Sequence, residues 1–145
     1  MLKEPENSTA ILPFVKEMQP QLPTSASTED LEVNAAPRTF TFVIPGSGRR
    51  LVVQAVDELD VGRSDPAHGF EPDLDLTPDD GAQHGVSRHH AVIRIASDGP
   101  ILTDLDSTNG TLLNNYRLPP NLPYVIKNGD EIRFGHLLVH VFFEM

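Results

Sequence analysis

GVSRHHAVIRIASDGPILTDLDSTNGT, residues 85–111 of a 145-residue chain, decides the fold. It carries Ser87, Arg88, His89 and His90 ahead of an apolar run at 91–96, and Ser107, Thr108, Asn109, Gly110 and Thr111 behind another at 101–105. Both runs read as short strands, so both polar clusters fall on loops. Upstream, Gly62, Arg63 and Ser64 follow a third short run in the same way. Loops at one rim of a β-scaffold are common sites for binding residues. Two arginines, two hydroxyls and an amide form a donor-rich set, suited to a tetrahedral dianion with peptide on either side.

Working outward, the texture is β from Arg38 on. Phe40, Phe42 and Ile44 alternate with Thr39 and Thr41, the two-residue period of a half-buried strand. Residues 45–48 then supply a turn, and 51–56 return with Leu51, Val53 and Ala55 on one side. Further short runs fall at 59–61, 73–76, 111–113, 116–118, 124–126, 131–134 and 137–143. About eleven short strands with frequent turn signals and no helical period predict an all-β fold, an antiparallel β-sandwich or barrel over residues 38–145.

Residues 1–37 differ. They hold five of the thirteen prolines and two basic against six acidic side chains, a composition that cannot bury much surface. A disordered tail is expected there, interrupted by one apolar patch at 11–15 that reads as an unstructured stretch, or as a docking segment or a strand added to a sheet edge. Thr24 and Thr28, the latter followed by Glu29 and Asp30, have the setting of kinase substrates.

The formal charge of −10 argues against nucleic acid or anionic membrane as a partner, so an anion site must be local and built from aimed donors. The chain has no cysteine, which excludes a disulfide frame and a thiolate metal site and fits a reducing, cytoplasmic setting. No apolar run approaches the length of a membrane span.

With these loops in order, the sequence resembles the forkhead-associated (FHA) domain family over roughly residues 39–143. The resemblance rests on Gly62-Arg63, on Ser87-Arg88-His89-His90, on residues 104–111, and on Asn128-Gly129-Asp130 with Ile132 and Gly135. It implies an eleven-stranded β-sandwich that recognises phosphothreonine in peptides, without catalysis or cofactor. The implied partners are phosphothreonine proteins, and Ser/Thr protein kinases or their substrates. By the same resemblance Arg63, Ser87, Arg88, Thr108 and Asn109 meet the phosphopeptide, while Gly62, His90, Gly110 and Asn114 support the site. His89 reads as ordinary and exposed. A phosphorylated tail folding back onto the site is a further implied possibility. With Gly85 two positions before Ser87, no cation stands there to select an acidic peptide residue.

Other readings are weaker. Ser87, a histidine and Asp104 could suggest a catalytic triad, but the second glycine of a nucleophile elbow and its helix are missing. Asp73, Asp75, Asp79 and Asp80 lack the closing carboxylate of a calcium loop, where His84 stands, and are expected as solvated loop acids. Adjacent histidines on an extended chain point to opposite faces, so no metal site is expected. The remaining alternative is a scaffold or subunit domain that keeps the fold and binds a partner through a sheet face, independently of phosphate.

Overall fold

The computed structural model describes residues 38–144. The expected tail, its patch at 11–15, Thr24 and Thr28 lie outside the described residues. The strands are β1 (Arg38–Ile44), β2 (Arg49–Ala55), β3 (Glu58–Gly62), β4 (Leu74–Asp75), β5 (His89–Ala96), β6 (Gly99–Asp104), β7 (Thr111–Leu113), β8 (Tyr116–Arg117), β9 (Tyr124–Val125), β10 (Glu131–Phe134) and β11 (Leu137–Phe143). They form a five-stranded sheet ordered β9-β6-β5-β3-β4 and a six-stranded sheet ordered β2-β1-β11-β10-β7-β8. The fold is the sandwich that the alternation predicts.

Alternation along each strand builds the core. Phe40, Phe42 and Ile44 of β1 are fully buried, as are Leu59, Val61, Ile93 and Leu102 on the facing sheet. The Phe40 ring packs on Phe42 and Phe143 with centroids 6.1 and 5.4 Å apart. Each such buried ring contributes on the order of 2–3 kcal/mol by removal from water. Ile132, Phe134, Val139 and Val141 complete the layer from β10 and β11.

Pairing direction then collects the loops. β3 runs antiparallel to β5 with Gly62 opposite His89, so the end of β3 meets the start of β5. β5 runs antiparallel to β6 with Ala91 opposite Asp104, which brings the end of β6 to the same rim. In the other sheet Thr111 opens β7 opposite Phe134. One pair departs from the antiparallel expectation: β3 and β4 are parallel, Val61 opposite Leu74. The intervening loop therefore crosses the rim, and two 3-10 turns, Pro66–His68 and Thr77–Asp79, each with an early proline, bend it back.

Of that loop's acids Asp73 and Asp80 are exposed, as the sequence suggests, whereas Asp75 is half-buried and Asp79 is buried. Asp79 is 3% exposed and takes Nε and Nη2 of Arg49 at 3.1 and 2.5 Å, with the Ser47 hydroxyl at 2.5 Å. Arg49 Nη2 also donates to the Asp75 carbonyl. A buried carboxylate needs such pairing, and this one ties the rim loop to the β1–β2 turn. Asp75 accepts from Thr77 and from Ser64 N–H. Burial works to raise its pKa, but those hydrogen bonds outweigh it and hold the carboxyl below its ordinary value. Among the described residues no helix is long and apolar enough to cross a membrane, and no group of three metal-ligating side chains comes together.

Candidate functional site

Gly62 closes β3 beside the loop that carries Arg88. A Cβ at Gly62 would lie 1.8 Å from the Arg88 carbonyl oxygen, so close approach, not a left-handed φ, requires glycine here. The Arg63 N–H donates to that same carbonyl at 3.1 Å. Its side chain then turns along the loop, and Nε donates to the Val86 carbonyl at 2.6 Å. Among the described residues no carboxylate pairs with Arg63.

Ser87 opens the loop into β5. Its hydroxyl oxygen accepts the Thr108 N–H at 3.1 Å, which ties the two donor loops together. That oxygen accepts with one lone pair, and its hydroxyl hydrogen stays free to donate to a ligand. Asn109 Nδ2 donates to the Gly85 carbonyl at 3.0 Å. Arg63, Ser87, Arg88, Thr108 and Asn109 line one cleft of about 290 Å³, together with Ala82, Gly85 and Val86. The structure thus brings together all five residues that the sequence marks for ligand contact.

Behind the cleft stands His90, fully buried. Its Nδ1 accepts the Ser87 N–H at 2.9 Å, which leaves Nε2 to carry the proton and donate to the Gly110 carbonyl at 3.0 Å. The ring is therefore a neutral strut between the two loops, packed edge-on against Phe134 at 5.6 Å. Burial lowers its pKa below the ordinary histidine value; the Gly110 bond and the charge of Asp104 pull the other way and do not compensate.

The sequence marks Asp104 through the 104–111 motif and the rejected triad, and gives it no role at the site. It is 2% exposed and accepts from Ser107 N–H and Oγ and from Thr111 Oγ1, at 3.1, 2.6 and 2.7 Å. Ser107 Oγ in turn accepts the Gly110 N–H at 2.9 Å. These bonds fold the 107–111 loop into a fixed turn, with Gly110 at φ +85°. Asn114 lies at the other end of β7. It braces the β7–β8 turn by bonding Asp130 and the Glu131 N–H, and it takes no part in the cleft wall.

Two partners were not legible from spacing. Arg88 Nη1 is held by Asp65 Oδ2 at 2.9 Å, and His68 Nδ1 shares the same oxygen at 2.8 Å. Desolvation works to raise the Asp65 pKa, but His68 and Arg88 together hold it below the ordinary carboxylate value. Gly85 has φ +79°, and a Cβ there would meet Asn109 Nδ2 at 2.5 Å. His89 is exposed, as expected, with its ring against Phe70 at 3.9 Å.

Chemically, the cleft offers a guanidinium, a hydroxyl and an amide within one small concavity, which suits a phosphate ester carried on a peptide. The FHA domain family model matches residues 59–135. FHA domain-containing protein FhaA of Mycobacterium tuberculosis is 36% identical over 91 residues, which make up 63% of this chain and 15% of that protein. The chain thus spans a small part of the length of that relative. A solved structure from work on phosphothreonine-dependent FHA domain interactions is 31% identical, with a TM-score of 0.56 over 74% of this chain and 98% of that one. The FhaA FHA domain, solved in complex with the intracellular domain of another protein, is 33% identical, with a TM-score of 0.53 over 70% of this chain and 98% of that one.

Proposed function

The chain belongs to the FHA domain family, and from that membership we propose that its rim cleft binds phosphothreonine in a peptide, as a non-catalytic adaptor or regulator in Ser/Thr kinase signalling. The observation that carries this reading is the Arg63 guanidinium, steered into the cleft by the Val86 carbonyl and matched to no carboxylate among the described residues. Two terminal nitrogens of a guanidinium suit two oxygens of a phosphate dianion. Ser87 supplies a hydroxyl hydrogen to a third oxygen. Thr108 and Arg88 border the phosphate, and the Asn109 amide, able to donate and accept at once, reads the peptide backbone beside it. Gly62, Gly110 and His90 hold these donors in place, and Asn114 ties the β7–β8 turn to the start of β10.

Residues 38–145 make up the binding domain in this reading, and residues 1–37 form a regulatory tail. Thr28 lies ten residues before Arg38, a reach of up to about 34 Å on an extended chain. The length of β1 is roughly 23 Å, so phosphorylated Thr28 can reach the rim from the far end of the sandwich. A short flexible tether supplies millimolar effective concentration, enough to fill a micromolar site and exclude an outside peptide.

Fluorescence anisotropy with matched peptides tests the main reading. A phosphothreonine peptide is expected to bind at least tenfold more tightly than its unphosphorylated form, since each charge-assisted bond contributes about 1.5–3 kcal/mol. Equal affinity for the two peptides overturns it.

A further inference from the structure

The second surface lies on the outer face of the six-stranded sheet, away from the rim. β1, β2 and β11 turn one set of side chains into the core, and the other set meets no second layer among the described residues. In the middle of that face Thr41 stands between Val52 of β2 and Phe142 of β11 as cross-strand neighbours. Val52 is 65% exposed and Phe142 41% exposed. The next row is Arg50, Val43 and His140, again cross-strand neighbours. Two concavities meet over this centre. One of about 500 Å³ lies against Val43, Pro45 and His140; the other, of about 610 Å³, lies against Arg38, Asn128 and Phe143. Thr41 and Phe142 line both, so they form one groove along β1.

We propose that this groove is the docking surface for the chain's own apolar segment at residues 11–15. Three observations single out that occupant. The 37 residues before the described region join the sheet at Arg38, which itself lines one end of the groove. Within those residues Ile11, Leu12, Phe14 and Val15 make the one concentrated apolar run, and the 22 residues between Val15 and Arg38 allow it to lie anywhere along β1. Charge agrees as well. The tail carries two lysines against six acidic side chains, and Arg38 and Arg50 flank the groove at its two ends. Among the described residues, Glu131, opposite His140, and Glu144, at the Arg38 end, are acids on that face and fall outside the apolar centre.

Pro13 decides the mode. Lacking an N–H, it breaks the ladder that an added edge strand would need, whereas side chains on either side of it are free to fill a groove. Tethering gives the segment a millimolar local concentration, so weak apolar contacts suffice for occupancy. The surface is independent of the phosphopeptide cleft and does not rest on that reading.

The full-length chain provides a direct test, because it has no cysteine and a single Met18→Cys substitution places one spin label three residues after Val15. Amide signals of Thr41, Val52 and Phe142 are expected to lose more than half their intensity, and those of Thr108 and Asn109 to keep theirs. Phe142→Glu, an outward substitution, should restore the lost signals. Leu12→Ser with Phe14→Ser should do the same without altering any described residue. Even relaxation over the whole surface overturns the proposal, as does a pattern unchanged by the tail substitutions. Relaxation seen only between labelled and unlabelled copies in a mixed sample also overturns it, by assigning the groove to a second molecule.

Discussion

The Arg63 Nε–H donates to the Val86 carbonyl oxygen at 2.6 Å, so a backbone acceptor one residue before Ser87 sets the direction of the guanidinium. A carboxylate in that place would neutralise the cation and block the cleft. A carbonyl orients it and leaves the terminal nitrogens available.

Arg63→Ala should therefore weaken phosphothreonine-peptide binding at least tenfold, by loss of charge-assisted bonds worth about 1.5–3 kcal/mol each. Arg63→Lys should recover little of this. An ammonium cannot hold the Val86 carbonyl and also present a two-pronged donor. Titration by anisotropy, with thermal unfolding as the control for folding, checks both variants.

Gly85 and Gly62 are expected to fail in different ways. Gly85→Ala sets a Cβ against the tip of Asn109 at φ +79°, and the side chain can swing aside. Stability should fall by about 1 kcal/mol and peptide affinity severalfold, because Asn109 leaves its place. Gly62→Ala drives a Cβ into the Arg88 carbonyl, which is backbone and cannot yield without moving the Ser87 loop. Urea unfolding should show a much larger loss for this variant than for Gly85→Ala.

The difference between these glycines marks where sequence reading stops. The eleven strands were legible because each buries one face, and alternation records that directly in Phe40, Phe42 and Ile44. The cleft residues were legible because their motifs stand in order at strand ends. What spacing does not encode is a contact made across the rim by side chains far apart in the chain. Asp79 with Arg49 is one such contact, and Asp65 with Arg88 is another. Gly85 belongs here too, since its need for glycine arises from Asn109, 24 residues away. The parallel β3–β4 pair was hidden for a related reason: two residues of β4 are too short a run to declare a direction.

Asp65 should act as a brake on the site. Its carboxylate holds Arg88 by one hydrogen bond and adds negative charge beside the cleft. The pair lies at the surface, with Arg88 about half exposed, so its removal frees a cation at little cost in stability. Asp65→Asn is expected to raise phosphopeptide affinity by about two- to fivefold. The gain should shrink as salt is added, because exposed charges are screened. Unchanged affinity at low salt would show that Arg88 takes no part in binding.

His90 should make the fold itself sensitive to mild acid. Both ring nitrogens are engaged in the neutral form, with Nδ1 accepting from Ser87 N–H, and protonation would put a donor against that donor. Burial is the main cause that holds its pKa below 6.5, the ordinary histidine value. Below that value the unfolded chain takes up a proton that the folded chain refuses. Stability therefore falls as pH drops from 6.5 toward the folded-state pKa, and levels off beneath it. The slope is bounded at about 1.4 kcal/mol per pH unit for one group. Urea unfolding at pH 7.5, 6.5 and 5.5 measures it, and His90→Gln, which cannot titrate, should flatten that part of the profile. The same variant loosens the Ser87 loop from Gly110, so its peptide affinity should already be lower at pH 7.5, where phosphate is largely dianionic and histidine neutral. A variant that kept the full acid sensitivity of the parent would place the titrating group elsewhere among the six histidines.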